Sequence, residues 1–173
     1  MRKTCLFVIC AGMALGFATQ GAAEPDYSHS GFYIAANGVA AIPESDAFET
    51  DVGPSLRLGA RFAERWSLEG QADYTGEMDP ELHQGALTMN ARYALATGRV
   101  QPYALVGAGF GWMLDDSGSE EVWEASPAVR LGGGVEFYFT PKFGALLEAT
   151  HNLLTDDGAR DWTSIGWGLF VRF

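Results

Sequence analysis

The chain has 173 residues, enough for one ordinary domain and too few for two separate cores. A hydrophobic content of 47% excludes intrinsic disorder, although 22 glycines and only 19% charged residues sit oddly in a soluble globular protein. The net charge of −11 excludes nonspecific nucleic-acid binding, which needs a basic footprint to displace counterions.

Arg2 and Lys3 precede an uncharged stretch from Thr4 to Thr19, followed by Gln20, Gly21, Ala22 and Ala23. Residues 1–23 therefore read as a cleavable secretory signal, with residues 24–173 as the single mature domain. A membrane-spanning helix needs roughly 20 apolar residues, and this stretch is shorter and ends in small ones. Cys5 and Cys10 both fall in the leader, and Ile9 is too bulky for a lipoprotein cleavage site before Cys10. The mature chain then offers neither a disulfide framework nor a thiolate metal site. Loss of Arg2 and Lys3 takes its net charge to −13.

Beyond the leader no stretch shows helical spacing, whereas alternation at period two recurs throughout, so the chain reads as all-β. The expected strands cover roughly 31–41, 54–63, 66–75, 84–95, 100–112, 126–139, 143–152 and 163–173. Most lie near the roughly 9 to 11 residues that a tilted strand needs to cross a bilayer, and their number is even. Connections alternate: those around 63–65, 96–99 and 141–142 are tight, and 42–53, 76–83, 113–125 and 153–162 are long. Successive hairpins with one compact and one ragged end follow. Phe62-Ala-Glu-Arg-Trp66 and Phe139-Thr-Pro-Lys-Phe143 echo each other as aromatic-flanked turns carrying a base, a hint of repeated hairpins.

Each clean strand separates polarity by parity. Leu56, Leu58, Ala60 and Phe62 oppose Ser55, Arg57, Gly59 and Arg61, and Leu68, Gly70, Ala72 and Tyr74 oppose Ser67, Glu69, Gln71 and Asp73. Leu87, Met89, Ala91 and Tyr93 stand against Thr88, Asn90 and Arg92, and Val129, Leu131, Val135 and Phe137 against Arg130, Gly132, Gly134 and Glu136. In the last strand Ile165, Trp167, Leu169, Val171 and Phe173 oppose Ser164, Gly166, Gly168 and Arg172, with Phe170 as the exception. The first, fifth and seventh strands are noisier.

Alternation alone does not say which face points inward. The charges favour an apolar exterior. The polar parity collects Arg57, Arg61, Arg92, Arg130 and Arg172 against Glu69, Asp73, Glu136 and Glu148. On a lipid face near mid-bilayer one base costs about 2 to 4 kcal/mol, whereas inside a narrow barrel these groups can pair. Glycines 107, 109, 111, 132 and 134 share that parity and would leave space for long arginine side chains. A soluble barrel would more often carry lysine outside, and Lys142 is the sole lysine after the leader. Aromatics gather at strand ends, with Phe62, Trp66, Tyr93, Phe139, Phe143 and Phe173 near the tight turns and Tyr74, Trp112, Trp123 and Trp162 near the long loops. Two interfacial girdles are expected.

With Gly31-Phe-Tyr-Ile34, Leu56-Arg-Leu-Gly-Ala-Arg-Phe62, Pro102-Tyr-Ala-Leu-Val-Gly-Ala-Gly-Phe-Gly111 and Gly168-Leu-Phe-Val-Arg-Phe173, the mature chain resembles the eight-stranded outer-membrane β-barrels of the OmpA/OmpX type. That resemblance implies an antiparallel up-and-down transmembrane barrel in the outer membrane of a Gram-negative bacterium. It further implies contact with outer-membrane lipid and lipopolysaccharide, periplasmic tight turns and extracellular long loops. Ile165, Trp167, Leu169, Val171 and Phe173 resemble the family's signal to the barrel-assembly machinery.

Eight strands enclose an interior just wide enough for side chains, so a plugged lumen is expected, with a narrow ion conduit as the alternative. The long loops hold 15 acids against one base, Arg160, and the densest group is Asp115, Asp116, Glu120, Glu121 and Glu124. Such loops suit divalent cations or basic partners, although Asp115-Asp-Ser-Gly-Ser-Glu-Glu121 misses the spacing of a calcium loop. No cofactor motif is present: Gly132-Gly-Gly134 lies within a strand, and His29 and His83 have no metal-ligand spacing. His151 in Glu148-Ala-Thr-His151-Asn-Leu-Leu154 is similar in position to the histidine of outer-membrane lipid A deacylases. Leu153 stands where their serine would be, leaving no hydroxyl to activate, so the expected role is non-enzymatic, with lipid A modification through His151 as a further alternative.

Overall fold

The computed structural model describes residues 26–43, 50–76, 82–115, 122–155 and 161–173. Eight strands follow in chain order: β1 (Gly31–Pro43), β2 (Asp51–Arg61), β3 (Trp66–Thr75), β4 (Leu82–Ala94), β5 (Val100–Asp115), β6 (Val122–Thr140), β7 (Phe143–Leu154) and β8 (Trp162–Arg172). Each pairs antiparallel with its neighbour, and β1 pairs with β8 to close the barrel. Closure removes both sheet edges, so the ladder serves its own backbone donors and acceptors as a hydrocarbon surrounding requires.

Strand cores fall where alternation puts them, and several ends extend further. β5 and β6 stay paired as far as Asp115 and Val122, and Leu82 of β4 pairs with Asp115, so these strands rise beyond the expected loop boundaries. Asp51, expected in a loop, opens β2, and its side chain is buried at the inward parity of Ser55 and Arg57. Residues 1–23, expected to be a leader, lie outside the described residues.

The faces divide cleanly. Leu58, Leu68, Met89, Val106, Leu147, Trp167 and Leu169 are each about half exposed on the exterior, whereas Arg57, Glu69, Asn90, Arg130 and Asn152 are fully enclosed. Phe62, Trp66, Phe139, Phe143 and Phe173 stand exposed at the tight-turn end. At the other end Tyr74 stacks on His83, with Tyr74 Oη and His83 Nδ1 3.0 Å apart. Trp162 departs from the girdle expectation. It shares the inward parity of Ser164, donates its Nε1–H to Ser164 Oγ at 3.0 Å, and is buried beside Ala41, Ala86 and Leu154. The Trp123 side chain lies outside the described set.

Candidate functional site

The inward polar residues form a single ladder of alternating charge. Asp73 meets Arg130 at 2.6 Å, Arg130 meets Glu148 at 3.5 Å, and Glu148 meets Arg57 at 2.7 Å. Arg57 continues to Glu69 at 3.5 Å, Glu69 to Arg92 at 3.1 Å, and Arg92 to Glu136 at 2.7 Å. Arg61 and Arg172 end the ladder, each 3.7 Å from Glu136. All nine residues expected in the lumen are buried there together.

Three tyrosines missed in the sequence complete the ladder. Tyr33 donates to Glu69 at 2.6 Å, Tyr103 to Glu148 at 2.7 Å, and Tyr138 to Glu136 at 2.9 Å. Every ladder glutamate thus has a neutral donor besides its guanidinium partners, as a buried carboxylate with several lone pairs requires. The Arg92 guanidinium also lies 3.7 Å from the Tyr103 ring centroid. Each tyrosine sits at inward parity, and that parity was the available signal.

The atoms nearest the inward glycines are backbone, amide, aliphatic and ring atoms. A side chain at Gly107 would run into Asn90, at Gly111 into Leu154 and Trp162, at Gly132 into backbone and Thr150, and at Gly134 into backbone and the Tyr103 hydroxyl. Gly109 accommodates the neighbouring backbone at Leu87 and Thr88. These glycines let amides, rings and adjacent strands approach closely.

Apolar groups close the tight-turn end of the ladder. Tyr27, Ala35, Tyr138, Leu146 and Phe170 form a buried cluster, which accounts for Phe170 at a polar parity. Its ring meets Tyr138 edge-on at 4.9 Å, and Tyr27 packs against Tyr138 at 5.5 Å. The Tyr27 carbonyl accepts from Arg172 at 3.0 Å, Gln101 at 3.1 Å and Arg61 at 3.3 Å. This residue precedes every strand, so periodicity could not find it. Across it in the chain, Ser28 donates its amide and hydroxyl to Asp26 at 2.8 and 2.7 Å and holds that exposed carboxyl below the usual carboxylate range. A small cavity lies beside Arg61, Arg92, Gln101 and Glu136, about 10 Å³ in volume, water-sized at most.

Other expected positions scatter. Ile165, Trp167, Leu169, Val171 and Phe173 all face outward and are exposed. Asp116, Glu120 and Glu121 lie outside the described residues, while Asp115 and Glu124 belong to the backbone ladders of β5 and β6. His151 is not without a hydroxyl, because Thr163 on the adjacent strand places its Oγ1 3.1 Å from Nδ1. Leu153 lies two residues further along the same strand, whereas the hydroxyl comes from across the ladder at the register His151↔Thr163. Among the described residues no cluster of His, Cys, Asp and Glu could hold a metal.

Half-exposed leucines outside and nine buried charges within reverse the polarity of a water-soluble barrel. In sequence, the family model described as outer membrane protein beta-barrel domain matches residues 8–173. The chain belongs to that family. It is an eight-stranded antiparallel β-barrel of the outer membrane. Among solved structures, Neisserial surface protein A superposes with a TM-score of 0.73 at 18% identity, covering 83% of this chain and 98% of that one. The N-terminal β-barrel domain of Pseudomonas aeruginosa OprF gives 0.65 at 16% identity, covering 84% and 100%. Ail, the attachment invasion locus protein of Yersinia pestis, gives 0.57 at 19% identity, covering 87% and 99%. No curated protein matches this chain in sequence.

Proposed function

We propose that this outer-membrane barrel is a non-enzymatic structural and surface-display protein, with a sealed lumen and acidic extracellular loops. Export by the 1–23 leader and recognition of the Ile165–Phe173 face by the barrel-assembly machinery belong to the same reading. The observation that carries it is the lumen itself: a ladder of eight ion pairs spans it, and Tyr27 and Phe170 cover its tight-turn end. Passage of a hydrated ion would require these buried, paired charges to part, and a buried charge without its partner is costly. Planar-bilayer recordings of the purified chain test this: a flat baseline is expected, and discrete conductance steps would establish the narrow channel instead.

The loops, which keep 12 acids and one base once Asp51, Asp115 and Glu124 are assigned to strands, suit divalent cations or basic partners and would reach anionic lipopolysaccharide through bridging cations. A structure of Yersinia pestis Ail holds the heparin analogue sucrose octasulfate. Such a polyanion is the wrong charge for the loops of this chain. The His151 and Thr163 pair favours a second reading, acyl transfer at the lipid-facing surface. Against it, an oxyanion needs free donors, and the strand amides around His151 are engaged in the ladders with β6 and β8. Unchanged lipid A on expression of the wild-type chain is the expected result, and a His151-dependent loss of an acyl chain would reverse it.

A further inference from the structure

The exterior at the tight-turn end carries a feature that the sealed lumen does not use. Phe137 and Phe139 of β6 and Phe143 of β7 form a contiguous shelf, with ring centroids 5.5 and 5.4 Å apart along the series. Each ring is more than a third exposed. Two bases flank it. Arg99, in the turn before β5, holds its guanidinium carbon 5.2 Å from the Phe137 centroid and donates Nε to the Tyr138 carbonyl at 3.0 Å. The Tyr138 amide returns a bond to the Arg99 carbonyl at 2.9 Å, so the backbone beneath this arginine is fixed. Lys142 sits in the turn between Phe139 and Phe143. Thr140 Oγ1 accepts from its amide at 3.3 Å, and its carbonyl accepts from the Arg172 amide at 2.7 Å. Among the described residues neither base forms an ion pair, and both are exposed.

A guanidinium held over a lipid-facing ring stands where acyl chains give way to headgroups. Its two terminal nitrogens present the fork that matches a phosphate diester, and the turn that joins Phe139 to Phe143 carries a second positive charge at Lys142. We infer that Arg99, Lys142 and the three phenylalanines bind the phosphate diester of an anionic glycerophospholipid, whose acyl chains lie along the rings. A zwitterionic headgroup fits less well, because its ammonium would face Lys142. Only a lipid-facing exterior is required, and the site stands whether or not the lumen conducts.

The full chain, reconstituted in nanodiscs of phosphatidylethanolamine with a minor fraction of phosphatidylglycerol, is released and its retained lipids are counted by native mass spectrometry. Wild type is expected to retain phosphatidylglycerol well above its bulk fraction. Each base removed should lower that enrichment about fivefold, so Lys142→Gln reduces it and the double variant Arg99→Gln/Lys142→Gln returns it to bulk. Arg65→Gln, in another tight turn beside Glu64, should leave it unchanged. Unheated gel mobility checks folding, and if the Arg99 variant does not fold, Lys142→Gln against wild type decides. Bulk-ratio retention by wild type, or equal retention by Lys142→Gln, overturns the site. Displacement by added inorganic phosphate would overturn the lipid as its occupant.

Discussion

Glu136→Gln removes one charge from the most heavily loaded point of the lumen while keeping its shape. The carboxylate faces Arg92 at 2.7 Å and both Arg61 and Arg172 at 3.7 Å, and it is 2% exposed. After the change Arg92 keeps Glu69 at 3.1 Å, whereas Arg61 and Arg172 keep neutral acceptors, Gln101 and the Tyr27 carbonyl. Stranding a buried charge typically costs about 3 to 5 kcal/mol, and two guanidinium groups put this variant at the upper part of that range. Glu148→Gln provides the internal contrast. Its arginines each retain another acid, Arg57 with Glu69 at 3.5 Å and Arg130 with Asp73 at 2.6 Å, so the loss should be nearer 1.5 to 3 kcal/mol, about that of a charge-assisted hydrogen bond. Adding Arg61→Gln to Glu136→Gln should recover about 1 kcal/mol or more through the coupling of contacting sites. Urea unfolding of the refolded barrel in detergent, followed by tryptophan fluorescence and unheated gel mobility, measures all three. A wild-type midpoint for Glu136→Gln, or an equal loss for Glu148→Gln, would refute the charge ledger.

Arg130→Ala and Arg57→Ala should each lower the unfolding temperature in detergent without altering loop-mediated binding, with Arg130→Ala leaving Asp73 bonded only to Gln71 among the described residues. Tyr27→Ala should cost about 1.5 to 3 kcal/mol, the worth of a buried aromatic, and should expose the N-terminal segment to protease; an intact segment would contradict the plug. Because Ser28 lowers the Asp26 pKa, the turn's contribution is complete above the unfolded carboxylate range and is lost as pH falls through the lowered value; hydrogen exchange at the Ser28 amide should follow that course. Gly59→Ala should cost about 1 to 3 kcal/mol, since a methyl there overlaps the Tyr33 ring that serves Glu69, whereas Gly166→Ala, with its nearest atom 3.8 Å away, should be neutral in the same unfolding assay.

The barrel was legible in the sequence because one face meets hydrocarbon and the other meets charge, and a period of two assigns every side chain at once. Arg57, Glu69, Arg92, Arg130, Glu136 and Arg172 were readable for that reason. Trp162 was readable by the same rule, since it shares the parity of Ser164, but its place at a strand end suggested an interfacial ring. Parity was the sounder guide because register couples all residues of a strand. Tyr27 carried no such signal: its position depends on how a non-periodic segment folds back beneath β2, β5 and β8.

Pairwise contacts in the lumen were likewise beyond the sequence, because parity gives the face of a residue and not the direction in which a long side chain leans. Arg57 reaches β7 to meet Glu148, and Arg92 reaches β6 to meet Glu136, crossing the interior in addition to pairing with Glu69 on the adjacent strand. Such cross-lumen pairs join residues 91 and 44 positions apart in sequence. They form only after the cylinder closes, so their stabilisation belongs to the finished barrel more than to any isolated hairpin. Buried ion pairs are weak contributors to net stability when compared with apolar packing, but they are costly to mispair. A barrel closing in another register would set Arg57, Arg92 and Arg130 against different neighbours and strand several charges together. On this argument the ladder specifies the closed register, and the apolar exterior supplies the drive into the membrane.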